Sequence, residues 1–209
     1  MIATVSPLLA ELAQWSEQHG PITIGLAGAG QMGTDIIVQA SLLPGLRIGA
    51  VAELRRDCIF EAAALAGFRQ EDLEAAASAS DIDRAIENGR LAFTDDAAEL
   101  AKAGRVEVVV DATGHPSAGA ELALASIRNG KHVVMLNVEA DITIGRFLKQ
   151  EARRAGVVYT GAAGDEPAAA LEVIGFAQSL GLKVVAAGKG KNNPLRFDAI
   201  PAEYAAEAK

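Results

Sequence analysis

Glycines at 28, 30 and 33 follow the apolar run Ile22 to Leu26 and precede a helix-like segment, the pattern in this chain best suited to grip a ligand. A turn Gly28-Ala29-Gly30-Gln31-Met32-Gly33 between strand and helix leaves backbone amides free at a positive helix end, where an anion binds. Gly28 supplies the sharp turn, Gly30 lets the backbone approach a pyrophosphate, and Gly33 lets helix and strand pack closely. Glu53 closes a second apolar run, Ile48 to Ala52, twenty residues after Gly33. A carboxylate there accepts hydrogen bonds from ribose hydroxyls, so the spacing predicts a dinucleotide site of the NAD type. Arg55 and Arg56 follow at once, and either guanidinium could clamp a 2′-phosphate, which is the NADP alternative.

Further chemistry-bearing residues fall at the ends of later apolar runs. Thr113, Gly114 and His115 follow the β-branched run Val106 to Asp111 and are expected to line the cofactor's path. Asn137, Glu139 and Asp141 end the next run. Asn137 could orient a substrate hydroxyl or a carboxamide, and Asp141 could equally cap a helix from Ile142. Asp165 and Glu166, adjacent before Pro167, could hold a divalent cation such as Mg or Mn through oxygen ligands, or form an acidic first helical turn. Lys189 and Lys191, in a glycine-rich loop, could bind a substrate phosphate or stabilise an alkoxide. His19 and His132 lack acidic or cysteine partners at ligand spacing and read as structural.

These residues require a scaffold of alternating strands and helices. The pattern predicts a helix from Pro7 to Gln18 packed on the domain through Trp15, then strands Ile22 to Ala27, Arg47 to Ala52, Leu91 to Thr94, Val106 to Asp111, Lys131 to Asn137 and Val157 to Thr160. Helices are expected between them, with residues 68–90 as a polar insertion that covers the adenosine side or meets another subunit. A helix from Pro167 to Leu180 and a strand from Lys183 to Ala187 follow. The fold class is α/β, a Rossmann-type three-layer parallel sheet with helices on both faces. Residues 1–160 form the nucleotide-binding domain, and 161–209 start a catalytic domain or extend the sheet.

Composition narrows the partners. Half of the 209 residues are hydrophobic and only 4% aromatic, which suits thin helices on a parallel sheet. Against 19 Lys and Arg stand 27 Asp and Glu, a formal net charge of −8, so nucleic acid and anionic membrane are poor partners. The single cysteine, Cys58, excludes an internal disulfide and reads as a helix-packing residue. No basic, apolar leader opens the chain, and cytoplasm is the expected compartment. The partner is expected to be a small molecule. Few residues remain beyond Pro194, so a homo-oligomer or a further catalytic domain is expected to complete the cleft.

Gly28-Ala29-Gly30-Gln31-Met32-Gly33-Thr34-Asp35, Asn137-Val138-Glu139-Ala140-Asp141, Tyr159-Thr160-Gly161 with Gly164-Asp165-Glu166-Pro167, and Gly188-Lys189-Gly190-Lys191-Asn192 together resemble the homoserine dehydrogenase-like oxidoreductases. Within them, the chain is most similar to the 1-deoxy-D-xylulose 5-phosphate reductoisomerase-like branch. The resemblance implies an N-terminal NAD(P)-binding domain, a separate catalytic and dimerisation domain, and hydride transfer between nicotinamide and a small, phosphorylated or unphosphorylated, hydroxy or carbonyl compound. It tips the cofactor toward NADP and brings in a divalent metal. The chain departs from the homoserine dehydrogenase pattern at Val138, where a lysine ordinarily follows the asparagine. Two other functions compete: a regulatory or interaction module that binds the cofactor without turnover, and a non-redox α/β enzyme whose glycine loop holds another phosphate.

Overall fold

The computed structural model describes residues 7–162 and 166–188. The chain divides into two compact units, Met1–Ala162 and Ala163–Lys209. In the first, helix α1 (Pro7–His19) precedes β1 (Ile22–Ala27), α2 (Gln31–Leu42), β2 (Leu46–Ala52) and α3 (Arg56–Leu65). A 3-10 turn at Gln70–Asp72 leads into β3 (Leu73–Ala75), α4 (Ala79–Glu87), β4 (Leu91–Thr94) and α5 (Ala97–Lys102). The run closes with β5 (Val108–Asp111), α6 (Pro116–Arg128), β6 (His132–Met135), α7 (Val138–Ala155) and β7 (Tyr159–Gly161). The described part of the second unit holds α8 (Glu166–Ser179).

All seven strands pair in parallel, in the order β3-β4-β2-β1-β5-β6-β7. The chain winds outward from β1 in one direction and returns to begin again at β5 beside it. That reversal opens a crevice at the carboxyl ends of β1 and β5. The central strands β1, β2 and β5 are buried on both faces, as the middle of a parallel sheet requires, while the edge strands β3 and β7 are more exposed. Ile24, Leu26, Ile48 and Val51 pack with Ile37 and Ile59 under α2 and α3. Ala27, Ala50, Ala52 and Val109 meet Ile82, Ile86 and Leu100 of α4 and α5. The pairing of β1 with β2 skips Gly49, so Ile24 opposes Ile48 while Gly25 opposes Ala50. This bulge restores the alternation that Arg47-Ile48-Gly49-Ala50-Val51 lacks as a plain strand. The face toward α4 and α5 is built of small residues, and a Cβ at Gly25 would come within 3.0 Å of Val106.

Several expectations are corrected. Residues 68–90 are not a covering insertion: β3 extends the sheet beyond β4, and α4 buries Ile82, Ala85 and Ile86 at the i, i+3, i+4 spacing of a helix face. Trp15 does not anchor α1. It is 50% exposed and stacks on His19 with ring centres 3.9 Å apart. Leu12 makes the close approach instead, against Gly45, where a Cβ would lie 2.7 Å from the Leu12 carbonyl. The expected strand from Lys183 to Ala187 is absent: residues 182–188 carry no regular structure, and Val185 is exposed. Apolar, β-prone residues make a strand only where their backbone finds a pairing partner. Asp165, Lys189 and Lys191 lie outside the described residues, and of Glu166 only its place at the start of α8 is described.

Candidate functional site

A cleft of about 480 Å³ opens where the strand order reverses. Gly28 and Gly30 form its floor, Glu53, Leu54 and Arg55 one rim, and Ala112, Thr113 and His115 the other. Each glycine of the loop has its own physical reason. Gly28 stands at φ +94°, and a Cβ there would sit 2.6 Å from the Ala112 carbonyl oxygen. A Cβ at Gly33 would overlap the Gly28 carbonyl at 2.0 Å, so this residue lets α2 descend onto the end of β1. A Cβ at Gly30 would meet nothing within 4 Å beyond its chain neighbours. That open space lies at the N-cap of α2, which has no side-chain cap bond. The first-turn amides of α2 are therefore free to meet an anion.

Glu53 ties the loop to its rim. Its carboxylate accepts the Ala29 amide at 2.9 Å and the Arg55 amide at 3.1 Å. Burial opposes its ionisation, but these amides and the Arg55 charge outweigh it and hold the carboxyl below the usual glutamate range. The Ala29 amide, expected to meet the ligand, is thus engaged by Glu53, and Ala29 itself is buried. Gln31 and Met32 remain exposed on the first turn of α2. Arg55 lines the cleft, whereas Arg56 sits on α3 and pairs with Asp95 at 3.7 Å.

The opposite rim is set from below. Asp111 ends β5 and is 1% exposed, as is Asn137 at the end of the β6 segment. Oδ1 of Asp111 accepts the Thr113 amide at 2.9 Å and the Thr113 hydroxyl at 2.7 Å. Nδ2 of Asn137 donates to Oδ2 of Asp111 at 3.1 Å and to the His115 carbonyl at 2.9 Å. Oδ1 of Asn137 accepts the Ala140 amide and so caps α7. Gly119 on α6 leaves room for this pair, since a Cβ there would lie 2.1 Å from Asp111 and 2.4 Å from Asn137. His115 occupies the N-cap position of α6 ahead of Pro116 without a side-chain cap bond.

Asn137, expected to orient a substrate hydroxyl or a carboxamide, is buried, and its side-chain amide is engaged by Asp111, His115 and Ala140. Asp141 does not cap a helix at Ile142, because α7 begins at Val138. It accepts the Tyr159 hydroxyl at 2.7 Å beneath Gly145. Burial, and then that bond to Asp141, push the Tyr159 hydroxyl well above the usual tyrosine range. Glu139 stands exposed on α7 and is not among the residues that line the cleft. His132 accepts the Val158 amide, a structural role. Among the described residues no group of three His, Cys, Asp or Glu side chains could hold a metal ion. Asp95, Leu54 and Asp111 were not singled out by sequence reasoning. A charged residue closing the most β-branched run was the available sign for Asp111.

Comparison with known proteins agrees with this geometry. Residues 28–160 match the family described as homoserine dehydrogenase, NAD binding domain, and residues 164–209 match the oxidoreductase DRL catalytic domain. No curated protein matches the chain. Among solved structures, the WlbA dehydrogenase of Bordetella pertussis, in complex with NADH and UDP-GlcNAcA, aligns at 18% identity and a TM-score of 0.54, covering 77% of this chain and 42% of that one. A probable dehydrogenase of Thermotoga maritima aligns at 18% identity and 0.55, covering 76% and 41%. Biliverdin reductase of Synechocystis sp. PCC 6803, in complex with biliverdin and NADP+, aligns at 16% and 0.52, covering 77% and 43%. At such identities the likeness is one of fold, and this chain spans less than half the length of each. Among the described residues no helix is long and apolar enough to cross a membrane. With more than half of its residues matching, the chain belongs to the homoserine dehydrogenase NAD-binding domain family.

Proposed function

We propose that this chain binds a nicotinamide dinucleotide and serves an oxidoreductase that transfers hydride to or from a small hydroxy or carbonyl compound. The carrying observation is the open space at Gly30 beside an uncapped helix N-terminus, inside a cleft whose rim holds an ionised Glu53. The first-turn amides of α2 would bind the pyrophosphate, and Glu53 would accept the adenosine ribose hydroxyls. Thr113 and His115 would wall the path toward the nicotinamide and shield it from water on that side. When bound, the cofactor supplies the hydride, so the protein's part is alignment and exclusion of solvent.

Glu53 and the Arg56–Asp95 pair favour NAD over NADP, against the lean that the family resemblance gives. The carboxylate is held ionised where a 2′-phosphate would lie, and only Arg55 of the two arginines lines the cleft. Asp165, Glu166, Lys189 and Lys191 are assigned to the substrate side. The match of residues 164–209 to a catalytic domain supports this. No cation is given a place among the described residues.

Titration of NADH fluorescence tests the cofactor site. Gly30→Val adds a side chain where there is open space, so the fold should stay intact by circular dichroism. Affinity should fall by about tenfold or more, roughly 1.4 kcal/mol. Equal affinity in the two proteins sinks the assignment. Cofactor-dependent turnover of carbonyl compounds separates an oxidoreductase from a module that binds without turnover.

A further inference from the structure

Asp111 and Asn137 form a clip that the proposed reaction does not use directly. A carboxylate and an amide, each 1% exposed, are set against each other below the cleft. Burying such groups is costly unless they are fully hydrogen-bonded, and here each polar atom has a partner. What the clip holds is informative. Asp111 grips Thr113 through both its amide and its hydroxyl, and Asn137 grips the carbonyl of His115. Between them the pair fixes both ends of the rim segment 113–115. The start of that rim lies directly against the glycine loop, since the Ala112 carbonyl and the Thr113 amide crowd the Cβ position of Gly28. A short displacement of the rim would therefore change the width of the cleft at its floor.

We propose that Asp111 and Asn137 are positioning residues, which set the Ala112–His115 rim at the distance from the glycine loop that the nicotinamide half of a dinucleotide needs. This rests on the dinucleotide reading above. The rim lies across the floor from Glu53, Leu54 and Arg55, where the adenosine would bind. Loosening it should weaken a ligand that spans both halves and spare one that fills only the adenosine half. A general loss of folding would weaken both.

NADH and ADP, titrated against the same proteins, make the distinction. Wild-type protein should bind both. If it binds no NADH, the dinucleotide reading itself fails, apart from any question about the clip. Asp111→Asn turns an amide toward the Asn137 amide, donor against donor. NADH should bind about tenfold more weakly while ADP stays within about twofold. Asn137→Asp keeps an oxygen to cap α7 but puts two carboxylates together. Its NADH affinity should recover as pH is lowered and the pair takes up a shared proton. The exchanged protein, Asp111→Asn with Asn137→Asp, restores a donor between the two side chains but sets a carboxylate against the His115 carbonyl, so that end of the rim stays released and NADH affinity should return only in part. Asn137→Asp carries the test if Asp111→Asn does not fold. Unchanged NADH affinity in Asp111→Asn, or parallel loss of NADH and ADP in either single variant, would overturn the proposal.

Discussion

The Glu53 carboxylate is pulled by two neighbours at once. It accepts the Ala29 amide of the glycine loop, and it lies beside Arg55, whose guanidinium could welcome a phosphate. Glu53→Gln keeps an oxygen for the Ala29 amide and removes the charge, so the loop should hold while the repulsion of a 2′-phosphate disappears. Measured by titration, the NADH-to-NADPH affinity ratio should fall by about tenfold, in line with one charge interaction at a partly desolvated site. A ratio that does not move means Glu53 does not face the ribose. The charge is durable. A carboxyl held below its ordinary range contributes stability in full above the unfolded-state value, and loses it only as pH falls through the lowered folded value. Preference for NADH should therefore persist through mildly acidic conditions. The loop residues and Glu53 were legible in the sequence because strand, turn and helix are contiguous and the acidic residue sits at a fixed remove. Asp111 and Asn137 were not legible as a pair. They are 26 residues apart and meet only because β5 and β6 are neighbours.

Two glycines within helices, Gly119 in the first turn of α6 and Gly145 midway along α7, carry polar pairs beneath them. Alanine in place of a helical glycine ordinarily stabilises by about 0.5–1 kcal/mol. At Gly119 the sign should reverse, since the added Cβ would stand 2.1 Å from the Asp111 carboxylate and 2.4 Å from the Asn137 amide. Gly119→Ala should destabilise by about 2 kcal/mol, read from the urea midpoint, because overpacking a filled site outweighs the helix gain. On α7, Gly145 makes room for Asp141 and Tyr159 in the same way. Burial first, and the bond to Asp141 second, raise the Tyr159 hydroxyl above its ordinary value. A raised group stabilises in full below the unfolded-state value and less as pH climbs past it. Stability should thus decline above about pH 10, and Tyr159→Phe should flatten that decline. An equally steep decline in the variant would exclude Tyr159 as its source. Strands β1, β2, β4 and β5 were legible as apolar runs between turn signals. The three residues of β3 are too few to show a period, and their pairing with β4 is a tertiary fact. Residues 183–187 show the converse, an apolar run with no strand where propensity alone would place one.

At the scale of the whole molecule, an acidic chain is expected to bind an anionic ligand, and local geometry must outweigh net charge. The formal charge is −8, yet charges farther from the cleft than about 8 Å are largely screened at physiological salt. The free amides of α2 act within hydrogen-bond range, so they decide the outcome. A ligand that binds only the folded state stabilises it by about 2.7 kcal/mol at a hundredfold excess over Kd. For a unit the size of Met1–Ala162, roughly 2–4 °C of melting temperature accompanies each kcal/mol, so NADH at that excess should raise the transition by about 5–11 °C. Inorganic pyrophosphate at the same concentration touches the loop but neither rim, and should shift the transition far less. The ordering of the two ligands matters more than the size of either shift. If pyrophosphate matches NADH, the glycine loop alone holds the ligand, the rims at Glu53 and Thr113 contribute nothing, and a non-redox phosphate-binding protein becomes the better reading. If NADH alone stabilises, recognition extends across the cleft, from the rim that Glu53 forms to the rim that Asp111 and Asn137 hold in place.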